Sequence, residues 1–210
     1  MVIHDNEILK AIQYKLETFD MYKPVLEPDL KKVNDIYLSN TGYDGENKNI
    51  DLTQISVLTN LKILDLKGFV IDQKFADTIS KLVNLKYLIL RECEVKKKIN
   101  VELADRIILE RCKVSNLGLI TMPRRLEIID GGDVDLSQVK ENKRNLEEII
   151  LYSCNLKKTV DLTEFSNLRQ IELEGTKVDS IDTIKALSIS PSLFVKYNPN
   201  NKNSGSRFTS

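Results

Sequence analysis

The sequence predicts an α/β solenoid: a right-handed, horseshoe-shaped coil with a concave parallel sheet of about eight strands and short helical or extended convex segments. Two observations carry this prediction. Of the 210 residues, 28 are Leu and 22 are Ile. One spacing of these aliphatic residues also recurs along the chain about every 22 residues, a period typical of coils that bury their apolar side chains only by stacking on one another.

The repeat is clearest from Leu61, where apolar residues stand at the first, fourth, sixth, ninth and eleventh positions. In all, we identify copies beginning at Val33, Leu61, Leu85, Ala104, Leu126, Leu146, Leu168 and Ser190. The fourth and sixth positions alternate with more polar neighbours, which predicts a short strand with its aliphatic side chains turned inward. The copy at Leu126 departs from the pattern because Gly131 falls on the inward sixth position, so we expect local irregularity there.

All three cysteines (Cys93, Cys112 and Cys154) fall on the ninth position of a copy. A small side chain that turns inward at this position can hydrogen-bond backbone groups that would otherwise be unpaired. The sequence therefore predicts buried, inert thiols without disulfides. No Cys-x-x-Cys motif is present and the only histidine is His4, so we predict no metal site and no cofactor.

The chain divides into a helical cap (1–32), the repeats (33–198) and a flexible Asn/Ser/Gly-rich tail (199–210). In the cap, the apolar spacing predicts an amphipathic helix over 5–19 with Asp5 or Asn6 as N-cap, and a short second helix over 26–30. The return segments are predicted as helical over 77–84 and 179–187, and as extended over 50–52, 99–101 and 160–162.

The pattern LxxLxLxx(N/C/T)x(L/I/V) over 33–198 resembles that of leucine-rich repeat proteins. The helical lead-in, residues 6–13 followed by 28–33, resembles the N-terminal caps of leucine-rich repeat proteins from Gram-positive bacteria, including the internalins. This resemblance implies a bacterial origin and a family whose members are often exported and bind host or neighbouring proteins.

Several function classes find no support in the sequence. The 31 basic and 31 acidic residues give no net charge, which argues against a dedicated nucleic-acid binder. No apolar run approaches the length of a membrane span, so we expect no membrane insertion. No phosphate-binding loop, dinucleotide fingerprint or nucleophile elbow occurs, so we predict that the protein is not an enzyme.

The outward strand positions indicate where a partner binds. In the middle copies they form an apolar stripe, and a contiguous apolar patch usually marks a binding surface. The charges flanking the stripe sum to +2 over the copies at Leu61, Leu85 and Ala104, and to −6 over those at Leu126, Leu146 and Leu168. The predicted concave binding face consists of Ile63, Tyr87, Ile89, Arg91, Arg106, Ile108, Ile128, Asp130, Ile150, Tyr152 and Glu172.

The sequence therefore predicts a monomeric module that recognises a polypeptide of complementary polarity. Three alternatives stay open: the outward β-branched residues simply suit strands, the chain is a structural or recognition fragment of a larger bacterial surface or secreted assembly, or it binds carbohydrate or nucleic acid. The start carries no secretory signal. As written, the sequence predicts a cytoplasmic protein, or a secreted or surface protein whose signal has been removed.

Overall fold

The computed structural model describes residues 3–18, 25–42, 46–101, 103–121, 123–139, 143–157, 165–178 and 193–198. Within these ranges the helices are α1 Asn6–Lys15, α2 Glu27–Leu30 and α3 Gln73–Ser80. The strands are β1 Asp35–Ser39, β2 Ile63–Lys67, β3 Val70–Ile71, β4 Tyr87–Arg91, β5 Glu94–Val95, β6 Arg106–Glu110, β7 Lys113–Val114, β8 Arg125–Val134, β9 Glu148–Leu156, β10 Gln170–Glu174, β11 Lys177–Val178 and β12 Phe194–Asn198.

The concave sheet confirms the predicted solenoid. Its strands follow one another in the order β1, β2, β4, β6, β8, β9, β10 and β12, and every neighbouring pair is parallel. Fourth-position residues such as Leu64, Leu88, Ile107 and Ile149 lie fully buried in one continuous aliphatic cluster. No single coil could bury these side chains alone, so stacking supplies the stability of the whole array.

The convex side combines short strands, one α-helix and several 3-10 turns. Strands β3, β5 and β7 form a second parallel sheet. Helix α3 begins at Gln73, where the Asp72 carboxylate accepts a hydrogen bond from the Phe75 N–H, so the helix starts earlier than the predicted span of 77–84. The segment 50–52 leads into a 3-10 helix over Leu52–Val57 rather than an extended segment. The predicted segments 160–162 and 179–187 lie outside the described residues.

The N-terminal cap closes the first coil with α1. The Asp5 carboxylate accepts hydrogen bonds from the N–H groups of Glu7 and Ile8, which confirms Asp5 as the N-cap. Ile8 and Ile12 are fully buried within the aliphatic cluster. The helix ends at Lys15, short of the predicted residue 19, which lies outside the described residues, as does the tail over 199–210.

The structure corrects the fifth copy of the repeat, which begins at Pro123 and not at Leu126. Leu126 pairs with Ile107 and Ile128 pairs with Leu109, so Leu126 and Ile128 are the inward fourth and sixth residues. Ile128 is buried in the aliphatic cluster, and its predicted place on the solvent face was wrong. Starting at Pro123 fills both inward positions with aliphatic side chains, whereas starting at Leu126 would place Gly131 in the core.

The correction also moves Asp130 off the concave face. It becomes the eighth residue, in the turn that follows the concave part of β8, with a left-handed backbone (φ 51°). The six coils from the one at Leu61 to the one at Leu168 all turn at this position with positive φ, at Gly68, Glu92, Arg111, Asp130, Ser153 and Gly175. A β-bulge follows, because Ile129 pairs with Tyr152 but Gly132 pairs with Cys154. In the last copy, Phe194 pairs with Gln170 and therefore lies in the third position instead of the fifth.

Adjacent isoleucines on β8 test this register. Truncating the inward Ile128 to Ala removes buried contacts and leaves a cavity, for which we expect a loss of about 2–5 kcal/mol of stability. Ile129→Ala, at the half-buried seventh position, should cost about 1 kcal/mol or less. Urea denaturation followed by circular dichroism measures both variants. A larger loss for Ile129→Ala would mean that the copy starts at Leu126.

Candidate functional site

The register of the sheet defines three columns of outward side chains on the concave face. The third-position column is Asp35, Ile63, Tyr87, Arg106, Arg125, Glu148, Gln170 and Phe194. The fifth-position column is Tyr37, Asp65, Ile89, Ile108, Glu127, Ile150, Glu172 and Lys196. The seventh-position column is Ser39, Lys67, Arg91, Glu110, Ile129, Tyr152, Glu174 and Asn198.

Four of the predicted site residues, Ile63, Tyr87, Ile89 and Ile108, form one apolar surface, which we call the concave patch. Ile63 pairs with Tyr87 in the third column, and Ile89 pairs with Ile108 in the fifth column. Ile63 and Tyr87 are 37% and 40% exposed, and the other two side chains are half-buried. Tyr37, which is also exposed, continues the fifth column beyond Asp65.

The apolar stripe does not continue past Ile108 as the sequence predicted. Ile150 points outward but is only 1% exposed, so the expectation that it faces solvent was wrong. It lies in the fifth column between Glu127 and Glu172. Tyr152 is half-buried beside this column, and burial raises the pKa of its hydroxyl, with Glu172, Glu127 and Glu174 raising it further.

A cross-strand ion-pair cluster occupies the face next to the concave patch. At its centre is Glu127, whose side chain is only 5% exposed. Its carboxylate accepts hydrogen bonds from Arg106 Nη2 at 2.7 Å and from Arg125 Nε at 2.6 Å. Arg125 Nη1 also donates to Glu148 at 3.0 Å, which extends the cluster to the next strand. Because Glu127 is paired twice, its charge can be buried at a tolerable cost.

The same cluster continues at the second position of each copy, immediately before the concave strands begin. Arg124 binds Glu147 in a two-pronged arrangement, with Nε to Oε1 at 2.9 Å and Nη2 to Oε2 at 3.1 Å. Glu147 is paired with Arg169 as well, and these bonds hold the pKa of its carboxyl below the ordinary value. A groove of about 220 Å³ separates Tyr87 from these charges.

A second ion-pair cluster lies on the other flank of the patch. Arg91 Nη2 lies 3.1 Å from Asp65, and Arg91 Nε lies 3.6 Å from Glu110. Arg111 in turn pairs with Glu110 and with Glu92. Desolvation raises the pKa of Asp65, an effect that Arg91 opposes and Glu110 reinforces. Asp65 Oδ1 is buried and accepts no hydrogen bond from any described residue.

These contacts change the predicted polarity of the face. The predicted sum of −6 for the C-terminal half omitted Arg124 and Arg125, because the copy was thought to start at Leu126. In the corrected register Asp130 and Asp133 leave the concave face, so five acidic residues face three basic ones, a net charge of −2. Most of these charges are held in ion pairs, so their fields act mainly over short distances.

Sequence reasoning missed Arg124 and Arg125 for the same reason, and it counted Glu127 only as one of the outward charges. The signal that could have revealed them is the aliphatic pair Leu126 and Ile128, spaced as inward residues are in every other copy. Of the other predicted site residues, Arg91 and Arg106 lie on the two flanks of the patch. Glu172 lies farther along the fifth column, beside Ile150.

The described part of the chain contains no group of three or more side chains suited to hold a metal ion. None of its helices is long and apolar enough to cross a membrane. The concave face has an apolar centre, and the charged side chains on its flanks are held in ion pairs.

No protein-family model and no curated protein sequence matches the chain. Among solved structures, the chain is similar to inlF, an internalin from Listeria monocytogenes, with 17% identity and a TM-score of 0.66. The match covers 93% of this chain and 56% of that one. Internalin C2 from the same organism matches with 18% identity and a TM-score of 0.60, over 91% of this chain and 92% of that one. The chain therefore has the leucine-rich repeat fold of the internalins, as the resemblance implied.

The buried glutamate can be compared with an exposed one. Glu127→Gln removes the charge that two arginines share, and we expect a loss of about 1–3 kcal/mol of stability. Glu92→Gln removes a carboxylate that is 38% exposed and also contacts two cations, and it should cost no more than about 1 kcal/mol. Equal shifts of the two urea midpoints would show that Glu127 does not organise the face.

The raised pKa of Asp65 predicts that replacing this residue with Asn stabilises the protein, to an extent that depends on pH. Because its pKa is raised in the native state, the folded protein takes up this proton more readily than the unfolded chain, so the ionised form lowers stability at neutral pH. We expect Asp65→Asn to raise Tm at about pH 7, and this gain to fade as the pH falls through the raised pKa. Thermal melts over a pH series measure the effect, with Asp133→Asn, whose side chain is 65% exposed, as the control. A lower Tm for Asp65→Asn at neutral pH would contradict the assignment.

Proposed function

We propose that the chain is a non-enzymatic protein-binding module that holds a polypeptide segment against its concave patch. The observation that carries this proposal is the contiguity of Ile63, Tyr87, Ile89 and Ile108 on three adjacent strands. Partly exposed apolar side chains that touch one another release more water on binding than the same side chains scattered over a surface. Tyr87 is the natural anchor, since tyrosine is enriched among the residues that dominate binding energy.

The ion pairs on both flanks support the same interpretation. Arg91 and Arg106 are already fixed by carboxylates on neighbouring strands. A partner therefore meets charged groups whose side-chain entropy has been lost before binding, which lowers the cost of ordering the interface. Tyr152 and Glu172 offer a half-buried hydroxyl and a carboxylate farther along the face, where the partner's polar groups can bind.

The fold comparison supports an interaction role in general, because solenoids present extended concave surfaces suited to binding. The chain spans 56% of the length of inlF and 92% of that of internalin C2. The choice of the concave face rests on the patch itself and not on these relatives.

A double substitution tests the patch. Ile89→Asp with Ile108→Asp places two charges at its centre, and we expect partner affinity to fall by at least about tenfold, since each ion must lose hydration on binding. The matched control is Val83→Asp with Leu103→Asp, two side chains that are 65% and 62% exposed and lie outside the three concave columns. Bacterial and mammalian lysates provide candidate partners, and calorimetry on the purified partner measures affinity.

Circular dichroism first establishes that both double variants are folded. The proposal requires a partner that binds wild type and the control equally and binds the Ile89/Ile108 variant weakly. Equal binding to all three proteins would exclude the concave patch. Loss of binding only when residues 199–210 are removed would favour recognition through the tail.

A further inference from the structure

The ninth residues of successive coils form a ladder of hydrogen bonds. The ladder begins at the third copy, because the ninth residue of the second copy is Phe69. Each Cys or Thr that follows donates to the carbonyl of the sixth residue in the preceding coil: Cys93 to Leu66, Cys112 to Leu90, Cys154 to Ile128 and Thr176 to Leu151. The fifth copy interrupts the ladder, because its ninth residue is Gly131, which has no side chain to donate. This single position changes the surroundings of two of the three thiols.

Cys93 and Cys112 are direct neighbours in this ladder. The Lys113 N–H donates to the Cys93 carbonyl at 2.8 Å, and the residues that follow, Glu94 and Lys113, are paired in register. Neighbouring strands lie about 4.8 Å apart, within the Cα separation of roughly 4.4–6.8 Å that disulfides span. The two side chains therefore lie side by side, and each thiol donates to a carbonyl of its own, Cys93 to Leu66 and Cys112 to Leu90.

Cys154 provides an internal contrast. Its neighbours at this level of the ladder are Gly132 on one side and Thr176 on the other, so no sulfur lies beside it. Burial raises the pKa of the Cys154 thiol. The interaction between the paired thiols lowers the pKa of Cys93 and raises the pKa of Cys112. The pair therefore releases its first proton more readily than an isolated buried thiol and its second proton less readily.

A cavity of about 220 Å³ leads from the surface to Cys112. Its inner wall includes Leu109, Ile128 and Gly131, and its polar wall includes Asp133 and Gln138. Gly131 lines the cavity, and its coil has no room for a ninth side chain because a Cβ there would lie 2.3 Å from the Ile128 side chain. Cys112 is partly exposed, while Cys93 and Cys154 are only 1% and 2% exposed.

We propose that Cys93 and Cys112 are a redox-active pair in which a small peroxide reaches Cys112 through this cavity and Cys93 then closes a disulfide between the two coils. Hydrogen peroxide is close to water in size, and the cavity has room for several waters. The cavity thus makes one thiol reachable, and the pairing of the two coils places the other thiol beside it.

The two steps consume one peroxide and no other reagent. The Cys112 thiolate attacks one peroxide oxygen, the O–O bond breaks, and hydroxide leaves as Cys112 becomes a sulfenic acid. The Cys93 thiolate then attacks the Cys112 sulfur, forms the S–S bond and displaces a second hydroxide. The two hydroxides take up the two thiol protons, so two thiols and one peroxide give one disulfide and two waters.

Oxidation of the folded 210-residue chain with hydrogen peroxide tests the proposal. Remaining thiols are alkylated with iodoacetamide in denaturant, and tryptic fragments are mapped by mass spectrometry. We expect fragments 92–96 and 112–113 to be linked with loss of two hydrogens, and Cys154 to be alkylated. Dithiothreitol should reverse the link, and Cys154→Ala should form it as readily as wild type.

A second variant separates the two steps. In Cys93→Ala the disulfide cannot form, and dimedone should trap a sulfenic acid on Cys112. If this variant does not fold, wild type and Cys154→Ala still decide the question. Full alkylation of all three cysteines after peroxide treatment would overturn the proposal, as would oxidation of Cys154 at the rate of Cys112, or disulfides that join only separate molecules. None of these outcomes depends on partner binding at the concave patch.

Discussion

The structure depends on one constraint: a coil of about 22 residues cannot shield its own aliphatic side chains from water. Leu64, Leu88, Ile107 and Ile149 are fully buried only because each is covered by its neighbours in adjacent coils. Hydrophobic burial therefore acts between coils as much as within them, and strand register follows from it, since a one-residue slip would expose the whole inward set. The helical cap extends the same cluster at its first coil through Ile8 and Ile12.

A core fixed in this way leaves the outward positions free to carry other chemistry. On the concave face these positions hold an apolar patch between two ion-pair clusters. Glu127 can be buried in the fifth column because Arg106 and Arg125, in the third column, donate hydrogen bonds to its carboxylate. Side chains that are already held in ion pairs lose little further conformational entropy on binding, and they give the face a defined local pattern of charge.

The fifth copy concentrates the irregularities of the molecule. Its extra residue produces a bulge in β8, and its ninth position holds Gly131. Gly131 interrupts the hydrogen-bond ladder and lines the cavity beside Cys112. The pairing of the same copy with β6 places Arg125 and Glu127 on the concave face. Departures from a regular repeat often coincide with special local chemistry, because bulges and broken local rules tend to occur at functional or strained sites.

The sequence by itself determined the repeat, the parallel concave sheet, the inward columns of the regular copies and an N-cap at Asp5 or Asn6, from which the structure selects Asp5. These features depend on spacing along the chain, which a single strand or helix already specifies. Only the tertiary structure decided the register of the fifth copy, because both Leu126/Ile128 and Ile129/Gly131 fit a period of two and stacking on β6 selects between them. The burial of Ile150 and the contact between Cys93 and Cys112 likewise depend on neighbouring coils, whose positions no local pattern contains.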